Sequence, residues 1–194
     1  MKKRVILITG TPCTGKTVTS KELAVKLDAG YINLTDFAKR YNLIKEEDKE
    51  RKTVIINEAE MKKKLAEVIR ASKNSNIIID GHYASAVTPS PLVSKVFVLR
   101  RNPKELKQFM VKCGFEGIKL WENLSAEILD VCLIEALKTQ KGKVCELDAT
   151  GKTVGEIVSE ISDVLEKGKP CYAGLVDWIG MLEREGLTDE YLKA

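Results

Sequence analysis

The sequence contains one histidine, and none of its five cysteines lie at a C-x-x-C spacing. A zinc site built from these residue types is therefore not expected. The net charge of +4 is small beside 32 basic and 28 acidic side chains, so it supports neither a strongly basic nucleic-acid surface nor a preference for acidic substrates. We expect the cysteines to be reduced thiols of an intracellular protein: Cys13, Cys113, Cys132, Cys145 and Cys171.

The sequence also lacks an apolar run long enough to span a bilayer. Residues 1–10 begin like a secretory signal, with two lysines before an apolar stretch, but that stretch is too short and runs into a glycine-rich segment. The 194 residues suffice for one domain with a buried core. We therefore expect one cytoplasmic domain that makes no contact with a membrane.

Residues 10–17 read GTPCTGKT and fit the phosphate-loop pattern G-x-x-x-x-G-K-[ST]. They lie between the apolar run VILIT and a segment with helical periodicity, where a strand turns into a helix. Such a loop binds phosphates through backbone N–H groups and a helix N-terminus. We predict that Lys16 contacts the β and γ phosphates of ATP or GTP and that the Thr17 hydroxyl binds Mg²⁺. The predicted contact positions are Gly10, Pro12, Cys13, Thr14, Gly15, Lys16, Thr17 and Val18.

Short apolar runs alternate with longer helical patterns along the chain. This alternation predicts an α/β fold with a parallel sheet of about five strands and helices on both faces. The runs are residues 5–9, 31–33, 77–80, 96–99 and 144–147. Residues 35–72 and 112–123 fall outside the alternation, and we predict that they form flaps over a site at the sheet edge. A solvated insertion and an ordinary helix connection are the respective alternatives.

Asp80 ends the apolar run NIIID, so its carboxylate lies at the carboxyl end of a predicted strand, where α/β sheets bind ligands. If the strand geometry continues, the side chains of Asp80 and His82 point the same way. Asp80 can then hold Mg²⁺ through water, and His82 can orient water, contact a second phosphate or carry a proton. The alternative for His82 is a hydrogen-bonded residue of a turn.

Phosphoryl transfer needs cations beyond Lys16, because negative charge is spread over the phosphates in the transition state. Arg100 and Arg101 follow the predicted strand at 96–99, and Lys112 and Lys119 lie in the second flap. Arginine is the better clamp because its planar fork contacts phosphate oxygens in pairs. The flap itself contains no arginine.

Five sequence blocks, in order and spacing, resemble adenylate kinase isoenzyme 6 and its archaeal relatives, a nucleoside-monophosphate-kinase-like family linked to small ribosomal subunit maturation. The resemblance extends from residue 2 to about residue 165. The blocks are GTPCTGKT with KELAVKL behind it, YINLTDFA, NIIIDGH, FVLRRNP and GFEGIKLWENLSAEILDVCLIEAL.

The resemblance implies a P-loop NTPase core at residues 1–167, with a monophosphate-binding flap at about 33–57 and a lid at about 112–122. Residues 168–194 form a tail whose helical periodicity predicts packing on the core or on a partner. ATP and Mg²⁺ are the implied cofactors. AMP or another nucleoside monophosphate is the implied partner, beside Asp36 and Asn57. A small-subunit ribosomal protein and rRNA are further implied partners.

The implied catalytic set and the remaining nucleotide contacts follow from the same blocks. The loop DATGK at residues 148–152 would lie against the adenine, and Cys113 would belong to the lid. The implied catalytic residues are Lys16, Asp80, His82, Arg100 and Lys112. The implied adenine contacts are Thr150, Gly151 and Lys152.

The chain departs from the family pattern at positions that bear on activity. Cys13 replaces the usual glycine, Val18 replaces a second threonine, and Asn57 stands where we expect aspartate. In the lid, Phe109 and Cys113 occupy positions that are arginines in the family pattern. One well-placed arginine is worth roughly 10³ to 10⁵ in rate in other phosphoryl-transfer enzymes, so we expect slower transfer here.

Three functions fit the sequence. The paired flaps and Asp36 favour a nucleoside monophosphate kinase that converts ATP and AMP to two ADP. The altered lid and His82 favour an ATP-gated ribosome assembly factor with slow hydrolysis. A small-molecule kinase with another acceptor is the third, although no acceptor signature supports it. We expect a weak monophosphate kinase that is also an ATPase.

Overall fold

The computed structural model describes residues 3–48 and 53–192. Its strands are β1 (Arg4–Thr9), β2 (Gly30–Asn33), β3 (Ile44–Asp48), β4 (Thr53–Ile56), β5 (Asn76–Asp80), β6 (Val93–Arg100) and β7 (Val144–Asp148). Its helices are α1 (Lys16–Lys26), α2 (Leu34–Arg40), α3 (Glu58–Ala71), α4 (Ala84–Val87), α5 (Pro103–Lys112), α6 (Gly117–Ile128), α7 (Val131–Thr139), α8 (Val154–Glu166), α9 (Trp178–Glu185) and α10 (Thr188–Tyr191).

The main sheet is parallel and has the strand order β2-β5-β1-β6-β7, which confirms the predicted α/β class and all five predicted strands. The central strand β1 pairs with β5 on one side and β6 on the other, and Ile8 lies opposite Asp80. The segment that follows β1 therefore begins between the carboxyl ends of β5 and β6. Ligands of open α/β sheets bind at this kind of edge.

Helices cover both faces of the sheet, which explains why the strands read as continuous apolar runs. Successive side chains of β1 point to opposite faces. Val5 and Leu7 pack with residues of α2, α3, α4 and α7, whereas Ile6 and Ile8 pack with α1 and α8. The sheet is thus held between two separate apolar layers.

Polar side chains fix where several helices begin. The Asn33 side chain accepts hydrogen bonds from the backbone N–H groups of Thr35 and Asp36 at the start of α2. Thr153 and Glu156 form a capping box on α8. Such caps stabilise a helix by about 1 kcal/mol each. The cap at Asn33 also fixes the start of the predicted monophosphate flap directly at the end of β2.

The predicted flap contains an antiparallel hairpin that the sequence did not indicate. Strands β3 and β4 pair with Ile44 opposite Ile56 and with Glu47 opposite Val54. Residues 45–52 read KEEDKERK, a run of charged residues. Such a run lacks the alternation of apolar and polar residues by which strands are identified in a sequence. Residues 49–52 of the run lie outside the described residues.

The tail packs on the core and corrects one expectation about the cysteines. Cys145 of β7 and Cys171 form a disulfide, contrary to the expectation of five reduced thiols. The two come together because the tail runs beside β7, where Glu146 N–H donates to the Tyr172 carbonyl at 2.9 Å. No helix in the described parts of the chain is long and apolar enough to cross a membrane.

Candidate active site

Three residues of the loop between β1 and α1 have positive φ angles. Gly10 has a φ of 137°, and a side chain there would come within 2.3 Å of the Leu99 carbonyl oxygen. Gly15 has a φ of 100° and begins α1. Cys13 adopts the left-handed region, which favours glycine, with a φ of 67°. The backbone thus has the conformation that lets N–H groups and a helix N-terminus face an anion.

Lys16 lies over the loop that precedes it. Its Nζ donates a hydrogen bond to the Thr11 carbonyl at 2.9 Å. Desolvation lowers the pKa of Lys16, and the negative charge of Asp80 acts in the opposite direction. Lys16 is half-buried, and an ammonium group that donates to a single carbonyl among the described residues has capacity left for phosphate oxygens.

The Asp80 carboxylate is 1% exposed and is held on one side only. Its Oδ2 accepts hydrogen bonds from Thr17 Oγ1 at 2.7 Å, Tyr31 OH at 2.9 Å and Asn33 Nδ2 at 2.9 Å. Its Oδ1 has no hydrogen-bond partner among the described residues. A buried carboxylate oxygen without a donor points to a missing ligand at this position.

Tyr31 and Asn33 are functional candidates that sequence reasoning missed. Asn33 lies directly opposite Asp80 because β2 pairs with β5. Burial, together with the Asp80 charge, raises the pKa of Tyr31, which keeps its hydroxyl protonated as a donor. The block YINLTDFA contained both residues, but only the sheet order shows that they orient Asp80.

The donor set at Asp80 fits Mg²⁺. In the parts of the chain that the structure describes, no group of three or more His, Cys, Asp or Glu side chains could hold a metal. Mg²⁺ does not need such a cage, because it keeps several waters and is usually bound by one or two protein oxygens plus substrate phosphates. Asp80 and the hydroxyl of Thr17 are the residues that would hold it.

His82 lies just beyond Asp80, but strand β5 ends at Asp80, so the strand geometry does not continue. The chain turns there, with Ala84 N–H donating to the Gly81 carbonyl. The imidazole ring keeps solvent contact and packs edge-on against Tyr83. Desolvation, followed by the positive charges of Lys16 and Lys119, lowers the pKa of His82 to about 4. The ring is therefore neutral near pH 7 and can accept a hydrogen bond.

Arg100 does not supply a cation to the loop, which corrects the expectation for this residue. Its guanidinium group is 1% exposed and pairs with Glu127 at 2.8 Å, with Glu146 at 2.6 Å and with Asp130. Its N–H donors are therefore engaged by carboxylates and by the Glu127 carbonyl.

Arg101 faces the loop instead, because successive side chains at a strand end point in opposite directions. Its Nη2 lies 3.5 Å from the Thr14 carbonyl oxygen. Its guanidinium group also stacks 4.9 Å from the centre of the Phe109 ring and pairs with Glu105. Lys112, a predicted cation of the second flap, is exposed, and its Nζ lies 5.8 Å from the centre of the same ring.

Cys113 of the predicted lid contacts the phosphate loop, whereas the predicted adenine positions Thr150 and Gly151 contact residues 102 and 105. The thiols of Cys13 and Cys113 contact each other, and burial followed by this contact raises the pKa of Cys13 to about 12. At the predicted adenine loop, Thr150 Oγ1 accepts from Asn102 N–H at 2.9 Å and Gly151 N–H donates to Glu105 at 3.0 Å.

Other predicted positions have structural or surface roles in the described chain. Lys152 pairs with Glu160 at 2.8 Å. Asp36 is exposed in the first turn of α2. The Asn57 side chain caps α3 by accepting from Glu60 N–H. Pro12 is partly buried in the loop, and Val18 is exposed on α1.

The solved structures of two kinases share this fold. A shikimate kinase from Bacteroides thetaiotaomicron aligns with a TM-score of 0.54 and 19% identity, covering 84% of this chain and 98% of that one. A thymidylate kinase from Candida albicans aligns with a TM-score of 0.56 and 17% identity, covering 87% of this chain and 93% of that one. At these identities the likeness establishes the fold, a P-loop nucleoside-monophosphate-kinase-like fold.

Comparison of sequences is more specific. A family model described as "AAA domain" matches residues 6–130. A Methanocaldococcus jannaschii protein named "Putative adenylate kinase" is 39% identical over 173 residues, which cover 89% of this chain and 92% of the relative. A Pyrococcus furiosus protein of the same name is 37% identical, with 92% and 93% covered. The chain therefore belongs to the AAA-domain family and to the family of these archaeal proteins named "Putative adenylate kinase".

Proposed function

We propose that this nucleotide kinase transfers the γ-phosphoryl group of ATP to AMP or another nucleoside monophosphate and also hydrolyses ATP slowly. The observation that carries the proposal is the pairing of Thr17 with Asp80 at 2.7 Å beside the phosphate loop. This pairing joins the end of the loop to a carboxylate that has one oxygen left for a ligand. The names of the archaeal relatives support adenylate kinase chemistry.

In the proposed reaction an oxygen of the monophosphate attacks the γ-phosphorus, and the bond from that phosphorus to the bridging oxygen of ADP breaks. The loop N–H groups and Lys16 hold the phosphates while negative charge spreads over them. Arg101 contacts the loop at the Thr14 carbonyl and so helps to hold its conformation. Bound Mg²⁺ would neutralise charge on the β and γ phosphates, and Thr17 and Asp80 would hold it.

The acceptor would bind under residues 33–57, the proposed monophosphate flap. Asn33 supports this placement because its side chain both donates to Asp80 and caps α2. The start of the flap is thereby tied to the proposed magnesium position. Asp36, in the first turn of α2, would face the acceptor when the flap closes.

Slow transfer is expected because the two positions that are arginines in the family pattern carry no positive charge in this chain. Phe109 occupies one arginine position of the family pattern and stacks on Arg101, whereas Cys113 occupies the other and contacts Cys13. Lys112 is exposed at the end of α5 and can reach towards the phosphates.

A second candidate is an ATPase switch that binds a small-subunit ribosomal protein and rRNA. The His82 ring, which the positive charge of Lys16 helps to keep neutral, favours it, because a neutral imidazole can accept a hydrogen bond from an attacking water and so orient it. Water would then replace the monophosphate as the nucleophile, giving ADP and inorganic phosphate. This candidate predicts that the ribosomal ligand, and not AMP, accelerates ADP formation.

The test is the rate of ADP formation from Mg·ATP with and without AMP, using Lys16→Ala protein as the blank for contaminating kinases. A large AMP-dependent increase supports the monophosphate kinase. A slow rate that AMP does not change supports the ATPase switch. ADP formation at the level of the Lys16→Ala blank under both conditions rejects both candidates.

A further inference from the structure

The C-terminal tail reaches the phosphate loop through one buried carboxylate that the proposed reaction does not use. Glu127, near the end of α6, is 1% exposed. Its Oε1 accepts hydrogen bonds from Trp178 Nε1 at 3.1 Å and from Arg100 Nε at 2.8 Å. Its Oε2 accepts from Thr11 Oγ1 at 2.6 Å. One side chain therefore contacts the tail, the end of β6 and the phosphate loop.

Thr11 continues this connection to the centre of the site. While its hydroxyl donates to Glu127, its carbonyl accepts from Lys16 Nζ at 2.9 Å. The same carbonyl accepts from the Thr14 hydroxyl at 2.9 Å. The orientation of the Thr11 peptide thus sets both the loop conformation and the position of the Lys16 ammonium group.

The charges around Glu127 explain why the tail is needed. A single guanidinium group, that of Arg100, pairs with Glu127, Glu146 and Asp130, so these groups together carry excess negative charge. The tail supplies N–H donors to the two most buried carboxylates. Trp178 donates to Glu127, and Leu175 N–H donates to Glu146 at 2.6 Å. A buried carboxylate that loses a donor is strongly destabilised.

Several contacts hold the tail in this position. The Trp178 and Leu182 side chains pack against Ile128 of α6. Lys104 of α5 pairs with Glu185 at 2.7 Å, and Lys107 pairs with Glu190 at 3.0 Å. The Cys145–Cys171 disulfide joins the start of the tail to β7. The tail therefore presents the Trp178 indole to Glu127 from a fixed position.

We propose that the tail, residues 168–192, is a positioning element of the phosphate loop and acts through Trp178, Glu127 and Thr11. The proposal rests on the proposed function in one respect: nucleotide phosphates must draw Lys16 away from the Thr11 carbonyl. Coupling of this kind is reciprocal. The tail contact sets the affinity for nucleotide, and nucleotide changes the surroundings of the Trp178 indole.

The first test follows the Trp178 indole N–H by NMR in ¹⁵N-labelled full-length protein. The chain has two tryptophans, so two indole signals are expected, and Trp178→Phe identifies one by its disappearance. Calorimetry in the same samples measures Mg·ADP binding. We expect the Trp178 signal to shift in step with ADP binding.

The second test compares Mg·ADP affinity in two conservative variants of the tail. Trp178→Phe keeps the aromatic packing and removes the donor to Glu127, so we expect the Kd to rise about five- to tenfold. Tyr191→Phe removes a polar group from the same tail cluster without changing a donor to Glu127, and its Kd should stay within about twofold of the parent value. In turnover assays, Trp178→Phe should raise the KM for ATP more than it lowers kcat.

The outcomes separate this inference from the proposed function. ADP binding with an unmoved Trp178 signal and an unchanged Kd in Trp178→Phe overturns the positioning role and leaves the nucleotide site intact. Equal losses of affinity in Trp178→Phe and Tyr191→Phe also overturn it, because they indicate general destabilisation of the tail. Absence of ADP binding to the parent protein overturns the positioning role together with the proposed function.

Discussion

Two buried carboxylates lie beside the strands that flank β1, and their surroundings differ. Asp80, at the end of β5, has one oxygen without a hydrogen-bond partner among the described residues. Glu127, packed against the end of β6, uses both oxygens. Its donors are Thr11, Arg100, Arg101 and Trp178. A buried carboxylate with one oxygen that accepts no hydrogen bond therefore indicates a ligand site, whereas a carboxylate with hydrogen bonds to both oxygens indicates a structural role.

We therefore expect substitutions at the two carboxylates to have different consequences. Changes at Asp80 and Lys16 should reduce activity and leave the fold stable. Changes at Glu127 should reduce stability and affect activity only through the loop.

Lys16→Ala should lower nucleotide-dependent ADP formation by about 10³-fold, because it removes the cation that faces the phosphates. The fold should be retained, since the substitution removes a desolvated charge whose pKa is already lowered. Thermal unfolding of the same sample is the control. A variant that keeps more than a tenth of the parent rate would show that the phosphate-loop assignment is wrong.

Asp80→Asn and Glu127→Gln should affect different properties: the first should lower the reaction rate, and the second should lower the stability of the fold. Asp80→Asn should lower the rate at least about 100-fold, while its amide oxygen still accepts from Thr17 and the unfolding midpoint holds. Glu127→Gln should lower the free energy of unfolding by about 3 kcal/mol, because it breaks a buried ion pair with Arg100. Rates and midpoints measured on both variants decide the matter. If one variant has both the lower rate and the lower unfolding midpoint, the distinction between site and scaffold is wrong.

Cys113→Arg should raise AMP phosphorylation by about tenfold, the gain expected from one charge-assisted hydrogen bond. The matched control is Cys113→Ser, which removes the thiol without adding a cation and should leave the rate near the parent value. Steady-state rates at saturating ATP make the comparison. If arginine and serine give the same rate, the lid does not close over the phosphates.

The smallest effect concerns His82, whose single imidazole signal can be titrated by NMR without assignment. We expect a midpoint of about 4 in the nucleotide-free protein. Because the folded pKa lies below the unfolded value of about 6.5, protonation favours unfolding, so stability falls as the pH drops from about 6.5 towards 4. Lys16→Ala should raise the midpoint by removing a positive charge. A parent midpoint near 6.5 would contradict the effect of desolvation and of the Lys16 and Lys119 charges on the pKa of this ring.

The strands, the loop and Asp80 could be predicted because each has a local signature. A buried parallel strand reads as an apolar run, and the phosphate loop has a fixed glycine spacing. The choice between Arg100 and Arg101 could not be predicted, because it depends on where β6 ends and therefore on which of two successive side chains faces the loop. A single residue of register reverses that assignment.

Residues brought in by tertiary structure were beyond local patterns. Tyr31 and Asn33 reach Asp80 only because β2 pairs with β5. Glu127 reads as an ordinary charged position on an amphipathic helix, and its role depends on groups far apart in sequence. The pairing of Cys145 with Cys171 likewise depends on the path of the tail beside β7.

The most direct measurement is ³¹P NMR of Mg·ATP mixed with AMP, which accounts for every phosphate in the products of the parent protein and of Asp80→Asn. If the proposed kinase reaction occurs, the parent consumes one AMP for each ATP and forms two ADP, with little inorganic phosphate. Asp80→Asn should do so at least about 100-fold more slowly. Unchanged AMP with inorganic phosphate as the sole other product, or an Asp80→Asn rate equal to that of the parent, would contradict it.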